Sequence, residues 1–318
     1  MLMDRATMTT DIIYRPARMN DIGSAYAVFR RSIFDYLFRL GMADDATAKD
    51  PPIEASWKRQ SAWIEHLWRS AAENWIAVDA AGCVVGWAMS VERDGHLELT
   101  HFFVEPRVQA KGIGQGLIKR AFSDIRARHK SILATQDTRA LSLYLRSGLN
   151  YITTSAEFVI SPRRIEPMTD LVFERVGVDD ATVEAIALLE LATLGYRQDV
   201  DTRFLLGSRP AWLARRTGSV VGFAFGPPPM PSNSAGQIAS SGPMAALDAR
   251  DLPAILDHVI DAAAMAGGGQ FGILVPLTNR VGVAHLVARG GKIDPFYVTV
   301  LASEDSMRLE SLIHTRPP

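Results

Sequence analysis

Val104-Glu-Pro-Arg-Val-Gln-Ala-Lys-Gly-Ile-Gly114 is the stretch that decides the fold. It follows an apolar strand pattern, His96–Val104, and runs into a helical pattern, Gln115–His129. Gly112 and Gly114 mark a sharp entry into that helix, where a Cβ could block close approach or forbid the required φ. Such a loop leaves several backbone N–H groups unpaired and pointing one way. The positive end of the helix dipole adds to them, and together they form a seat for a pyrophosphate. The rival reading is a dinucleotide fingerprint, which needs Gly-x-Gly-x-x-Gly; Gly112-Ile-Gly114-Gln-Gly116 has the wrong spacing. Lys111 lies inside the loop, beside any phosphate held there. Lys119, Arg120, Arg126, Arg128 and Lys130 follow it. They read either as a field favouring phosphates or as an ordinary solvated face.

Working outward, the chain repeats itself. Trp75-Ile-Ala77 leads to Gly82-Cys-Val-Val-Gly-Trp-Ala88, and Trp212-Leu-Ala214 leads to Gly218-Ser-Val-Val-Gly-Phe-Ala224. Each is a β-hairpin pattern, two apolar runs around a polar turn ending in Gly. Downstream, Asp137, Ala140, Tyr144 and Gly148 share their spacing with Asn279, Gly282, Leu286 and Gly290. Two echoes in the same order predict tandem copies of one fold.

Copy one reads as a strand Ile12–Arg15, a helix capped by Asp21 and a second helix Ile53–Glu73. The hairpin Trp75–Val91, the strand His96–Val104, the loop and the helix to His129 follow. A strand Ile132–Thr135, a helix Thr138–Arg146 and a strand Tyr151–Ile160 end it. Copy two reads as a strand Asp170–Val176, a helix Asp180–Leu194, the hairpin Ala211–Phe225, a strand near Gln237–Ser241, a helix Leu252–Met265 and a last α/β unit. The expected division is a disordered start over 1–10, a first domain over 11–160, a linker over 161–167, a second domain over 168–304 and a tail over 305–318. Pro227–Gly236, rich in Pro, Ser and Asn, reads as a mobile loop, either a lid or a plain insertion. The fold class is mixed α/β with a central, largely antiparallel sheet.

Composition narrows the function. With 318 residues there is room for two domains, and 47% hydrophobic with 22% charged residues are the values of a soluble globular chain. A net charge of −1 argues against a global nucleic-acid binder. A single cysteine, Cys83, excludes an internal disulfide framework and supplies no metal cluster, and its apolar setting predicts a buried small hydrophobe. No apolar run approaches a membrane span and the polar start carries no signal-peptide core, so the expected location is the cytoplasm.

These residues resemble the GCN5-related N-acetyltransferase (GNAT) superfamily. Its phosphate loop, Gln/Arg-x-x-Gly-x-Gly/Ala, stands here as Gln109-Ala-Lys-Gly112-Ile-Gly114, after the typical Val-x-Pro of Val104-Glu-Pro106. Its later helix, Asn-x-x-Ala-x-x-x-Tyr-x-x-x-Gly-Phe, stands as Asp137, Ala140, Tyr144, Gly148 and Leu149. Asp137 and Leu149 depart from the pattern. The resemblance covers about residues 12–160 and implies acetyl-CoA, or a related acyl-CoA, as co-substrate, with no metal. It implies that the N–H groups of Gln109, Ala110, Lys111, Gly112, Ile113 and Gly114 meet the pyrophosphate. It puts the pantetheine arm beside Phe102, Phe103 and Val104 like an added strand at a bulge, with Asp137 near it.

Acyl transfer to an alkylamine of pKa ~10.4 is helped by a base at neutral pH. Glu98 is the candidate: its distance before Gln109 matches the base glutamate of the histone-acetylating members. His101 alternates to the opposite strand face and is the second candidate, or a structural histidine. The resemblance gives the oxyanion to backbone N–H near Phe103 and Val104 and makes Tyr144 the proton donor to the departing sulfur. Copy two reads as degenerate: Gly242-Pro-Met-Ala-Ala-Leu-Asp-Ala-Arg-Asp-Leu252 lacks both glycines, Asp248 and Asp251 stand at the helix start, and Leu286 replaces the tyrosine. No CoA binding is expected of residues 168–318, whose task would be structural, in place of a dimer partner; monomer and homodimer both stay open. The acceptor is expected to be a small-molecule amine. Asp44, Asp45, Asp50 and Glu54 would suit a cationic amine or form a solvated loop, and Trp57, Trp63 and Trp68 read as core packing ahead of a substrate cage. A non-catalytic acyl-CoA-binding regulatory or sensor module is the alternative to an active N-acetyltransferase.

Overall fold

Strands Ile13–Pro16 (β1), Ala71–Val78 (β2), Val84–Arg93 (β3) and His96–Val104 (β4) lie in that order in one sheet region. Helices Ile22–Arg39 (α1), Asp45–Lys49 (α2), Ile53–Arg69 (α3) and Ile113–Ala121 (α4) accompany them. The computed structural model describes residues 12–123, 127–166, 168–229, 239–303 and 309–313. It divides into two units: Met1–Glu92 with Leu97–Arg128, and Arg93–His96 with His129–Pro318. The expected start over 1–10, most of the loop Pro227–Gly236, and Arg126 lie outside the described residues.

In the first unit the core gathers Tyr26, Ile64, Leu67, Trp68, Ile76, Trp87, Met89 and Val91. Trp57 and Trp63 pack against it, as does Phe103. Helix α3 ends at Arg69, four residues earlier than the periodicity suggests. The Ser70 hydroxyl donates to the His66 carbonyl at 2.9 Å there, and β2 starts at once. Helix α4 ends at Ala121, not near His129, because Phe122 leaves helical backbone (φ −134°, ψ 21°) and is buried. Cys83 is exposed, against the buried position expected. It follows the Gly82 turn, and its N–H and that of Ala81 both donate to Asp79 Oδ1, so the chain has not yet entered the strand.

The second unit holds His129–Thr135 (β5), Thr138–Arg146 (α5), Asn150–Ile160 (β6), Val172–Val176 (β7), Asp180–Thr193 (α6), Asp199–Ser208 (α7), Ala211–Arg216 (β8), Ser219–Phe225 (β9), Ala239–Ser241 (β10), Met244–Ala246 (β11), Leu252–Met265 (α8), Phe271–Pro276 (β12), Arg280–Ala288 (α9), Lys292–Ala302 (β13) and Leu312–Ile313 (β14). Its strands run in the orders β5-β13-β6-β12-β10 and β14-β11-β9-β8-β7. The compact units divide at a different place from the expected linker, 161–167. Strand β13, last of copy two, lies between β5 and β6 of copy one, and β6 lies between β13 and β12. Each copy therefore completes its sheet with the other's final strand, and the compact units split near residue 128. Within the expected tail, β14 pairs with β11. Helix α7, with Asp199 and Asp201 in its first turn, has no counterpart in the sequence reading.

Glu190 of α6 is almost fully buried and accepts from the Gln198 N–H at 2.8 Å and the Thr202 hydroxyl at 3.1 Å. Burial pushes its carboxyl up to about 7 from 4.5, against those two hydrogen bonds. Below pH 4.5 the group is protonated folded and unfolded alike. As pH rises from 4.5 to about 7 the unfolded chain ionises first, so stability falls across that window. Glu190→Gln should remove this slope, worth on the order of 3 kcal/mol above it. Urea midpoints measured at a series of pH values check this.

Candidate functional site

Strand β4 alternates as its sequence requires. Leu97, Leu99 and His101 are buried, and Glu98 and Thr100 are half-buried on the other face. His101 stacks on Trp87 with ring centroids 4.3 Å apart and meets Phe29 edge-on at 5.8 Å. Burial alone drives its pKa down to about 3. Its burial and its packing among aromatic rings are those of a core histidine, the structural alternative to a base. Glu98 keeps the face opposite that core. Phe103 turns towards the core, 4.6 Å from the Phe29 ring, while Phe102 is half-buried on the Glu98 side.

The loop after β4 is held from several directions. The Val104 carbonyl accepts both the Ser32 hydroxyl (3.0 Å) and the Gln109 side-chain amide (2.9 Å). The Glu105 N–H donates to Val85 O at 2.9 Å, and its carboxylate takes Arg31 Nε at 2.8 Å. The chain then passes a short 3₁₀ turn at Pro106–Val108. The Gln109 N–H is spent on Pro106 O at 3.3 Å, so this residue braces the loop with side chain and amide together. Ser32, Arg31 and Glu105 escaped the sequence reading, because contacts between residues more than 70 positions apart leave no local pattern.

Gly112 is the cap of α4. Its φ of 82° lies in the left-handed region, where an L side chain is strained by roughly 1–2 kcal/mol. An added Cβ there would meet open space, so backbone conformation, not crowding, demands glycine. Gly114 is already inside the helix. The ladder of α4 begins with the Gly116 N–H donating to Gly112 O at 3.1 Å, so the amides of Ile113, Gly114 and Gln115 have no intrahelical acceptor. Ala110, Lys111 and Gly112 are exposed, and Lys111 has no ionic partner among the described residues. The arrangement is an exposed cluster of N–H dipoles with one free cation beside it, which suits a diphosphate. Arg120, by contrast, lies over the Tyr14 ring at 4.3 Å and donates to Gly116 O, a structural role. Gly116 fixes how α4 seats on β1: a Cβ there would come within 2.3 Å of the Tyr14 ring.

Tyr144 and Asp137 belong to the second unit. Tyr144 is the buried residue of α5, and its hydroxyl is held in the protonated form by burial, with the Asp137 carboxylate second. Asp137 caps α5, accepting from the Arg139 N–H at 3.0 Å and pairing with the Arg139 guanidinium at 2.9 Å. The residue that departs from the usual Asn is thus engaged locally. At the equivalent place in copy two, Asp251 precedes α8 and is gripped by Arg216 at 2.7 Å, and Asp248 is paired with Arg250. Carboxylates do occupy that helix start, and Leu286 is fully buried in α9. Of the acids before α3, Asp44 caps α2 through the Thr47 N–H and Asp45 pairs with Lys49, while Asp50 and Glu54 are exposed.

Residues 42–149 match the model of the Acetyltransferase (GNAT) family. A comparison with curated protein sequences found no significant match. Among solved structures, a Pyrococcus horikoshii protein superposes with a TM-score of 0.66 at 14% identity, over 95% of this chain and 92% of that one. A GCN5-related N-acetyltransferase from Sphaerobacter thermophilus gives 0.58 at 16% identity, over 94% and 98%. A tandem GNAT protein from the clavulanic acid biosynthesis pathway gives 0.58 at 15% identity, over 93% and 100%. Residues 42–149 thus match the GNAT family, and the chain as a whole shares the fold of these proteins, a tandem GNAT protein among them. Among the described residues no helix is long and apolar enough to cross a membrane.

Because Ser32 and Gln109 serve one carbonyl, either can cover for the other. Ser32→Ala and Gln109→Ala should each cost about 1 kcal/mol or less, and the double variant more than their sum. Denaturant unfolding of the four proteins measures the coupling.

Proposed function

We propose that this chain transfers an acyl group from an acyl-CoA thioester, acetyl-CoA in the simplest case, to the primary amine of a small molecule. The observation that carries the proposal is the loop 109–114, with its left-handed Gly112, the free amides opening α4 and the exposed Lys111. A diphosphate is the group those dipoles best accommodate. The match of residues 42–149 to the acetyltransferase family supports the same reading.

In this proposal the amides of Ala110, Lys111, Gly112, Ile113 and Gly114 bind the diphosphate and so fix the thioester's position. Gln109 contributes by bracing the Val104 carbonyl rather than by touching phosphate. Phe102, Phe103 and Val104 flank the arm of the donor. Glu98 takes a proton from the attacking amine, directly or through water. The amine nitrogen bonds to the carbonyl carbon as the carbon–sulfur bond breaks, and Tyr144 gives its proton to the sulfur. The part of Tyr144 rests on the spacing of Asp137, Ala140, Tyr144 and Gly148. Copy two, with Asp251 at its helix start and Leu286 for tyrosine, serves as scaffold.

The test is thiol release from acetyl-CoA over a panel of small amines, beside calorimetric CoA binding. Tyr144→Phe should lower turnover roughly ten- to a thousandfold and leave CoA affinity nearly intact. Gly112→Val should weaken CoA binding, with far-ultraviolet circular dichroism confirming that the variant folds. Turnover unchanged in the tyrosine variant removes Tyr144 from the mechanism. CoA binding without thiol release on every amine replaces the enzyme by a sensor.

A further inference from the structure

Within the second unit, two strands stop opposite each other. Thr135, the last residue of β5, pairs with Val298 of β13; Val298 pairs with Ser155 of β6; Ser155 pairs with Pro276, the last residue of β12. Both β5 and β12 therefore end at the same row of the sheet, one on each side of the exchanged pair β6–β13. Beyond that row the chain turns away into α5 and α9. The face of β6 and β13 between them is left as an open cleft of ≈ 810 Å³. That size is within the range of small-molecule sites.

The lining is specific in composition. Gln136, between β5 and the cap of α5, and Leu277 and Thr278, between β12 and the cap of α9, enter it from opposite sides with Arg280. Tyr151, Thr154 and Tyr297 come from the strand pair. No carboxylate lines the cleft, although the whole chain carries Asp and Glu in slight excess. Tyr151 and Thr154 satisfy each other at 2.9 Å. The Gln136 amide, the Thr278 and Tyr297 hydroxyls and the Arg280 guanidinium have no partner among the described residues. Several other arginines of this unit are paired with carboxylates: Arg93 with Asp201, Arg216 with Asp170 and Asp251, and Arg289 with Asp257. Arg280 is also the first residue of α9, where the helix dipole adds positive potential.

We propose that this cleft binds a small hydroxylated anion, a sugar or polyol bearing one phosphate or carboxylate, with Arg280 on the anionic group. Gln136, Thr278 and Tyr297 supply amide and hydroxyl partners for the neutral hydroxyls, and the tyrosine rings offer apolar faces for the C–H side of the molecule. The site is independent of the acyl-CoA reading and uses none of its residues.

The test is calorimetric titration of the full chain with glucose 6-phosphate, glucuronate, neutral glucose and inorganic phosphate. Either charged sugar should bind at least about tenfold more tightly than glucose and than phosphate, and the stronger of the two identifies the anionic group. Arg280→Ala should weaken that binding about tenfold or more, as expected for loss of a charge-assisted hydrogen bond. Arg280→Lys should restore part of it. Gly112→Val should leave it unchanged. Failure of both charged sugars to bind at millimolar concentration overturns the proposal. So does phosphate binding as well as glucose 6-phosphate, or affinity that survives in a folded Arg280→Ala protein.

Discussion

The turn into α4 is the constraint from which the functional reading descends. A helix must leave its first amides without internal acceptors. Most helices satisfy some of them with a side-chain cap, but α4 has none: its cap is Gly112, which has no side chain to offer. The positive φ of that glycine brings the chain round so that the open amides emerge beside Lys111. Behind the turn, the hydrogen bonds of Ser32 and Gln109 to Val104 and the Arg31–Glu105 pair hold the loop in place. The loop is bonded from behind, and the amides that open α4 have no intrahelical acceptor in front.

The second copy shows the same helix start put to another use. Asp251 stands before α8 and is clamped by Arg216, which sets a carboxylate of the protein at that helix start. A carboxylate there interacts favourably with the helix dipole. What the copy contributes instead is sheet. Its strand β13 completes the pairing of β5 and β6, and β6 in return pairs with β12. Two such strands in antiparallel register bury Phe158, Ile160, Val300 and Leu301.

Local chemistry was legible in the sequence; long-range pairing was not. Helices Thr138–Arg146 and Leu252–Met265 stand where their apolar periodicity and capping residues put them. The hairpin Ala211–Phe225 follows from its alternation and Gly-ended turn. The exchange of β6 and β13 leaves no such trace, because a last strand looks the same whichever copy it joins, and so the linker at 161–167 looked like a boundary between compact bodies. In the site, the glycine at the cap and the facing of Glu98 were readable from spacing and period. The bracing role of Gln109 was not, since the same side chain could equally have reached outward. The exposure of Cys83 was missed because its turn is set by Asp79, four residues earlier.

The account stands on diphosphate recognition by the amides before and within the first turn of α4. Its most direct test is to compare, by calorimetry on the full chain, coenzyme A with pantetheine, which keeps the thiol arm but lacks the diphosphate and nucleotide. The account predicts saturable binding of coenzyme A and a loss of affinity of about a hundredfold or more for pantetheine, given several charge-assisted hydrogen bonds forfeited. Equal affinity for the two, or no binding of either, would contradict it.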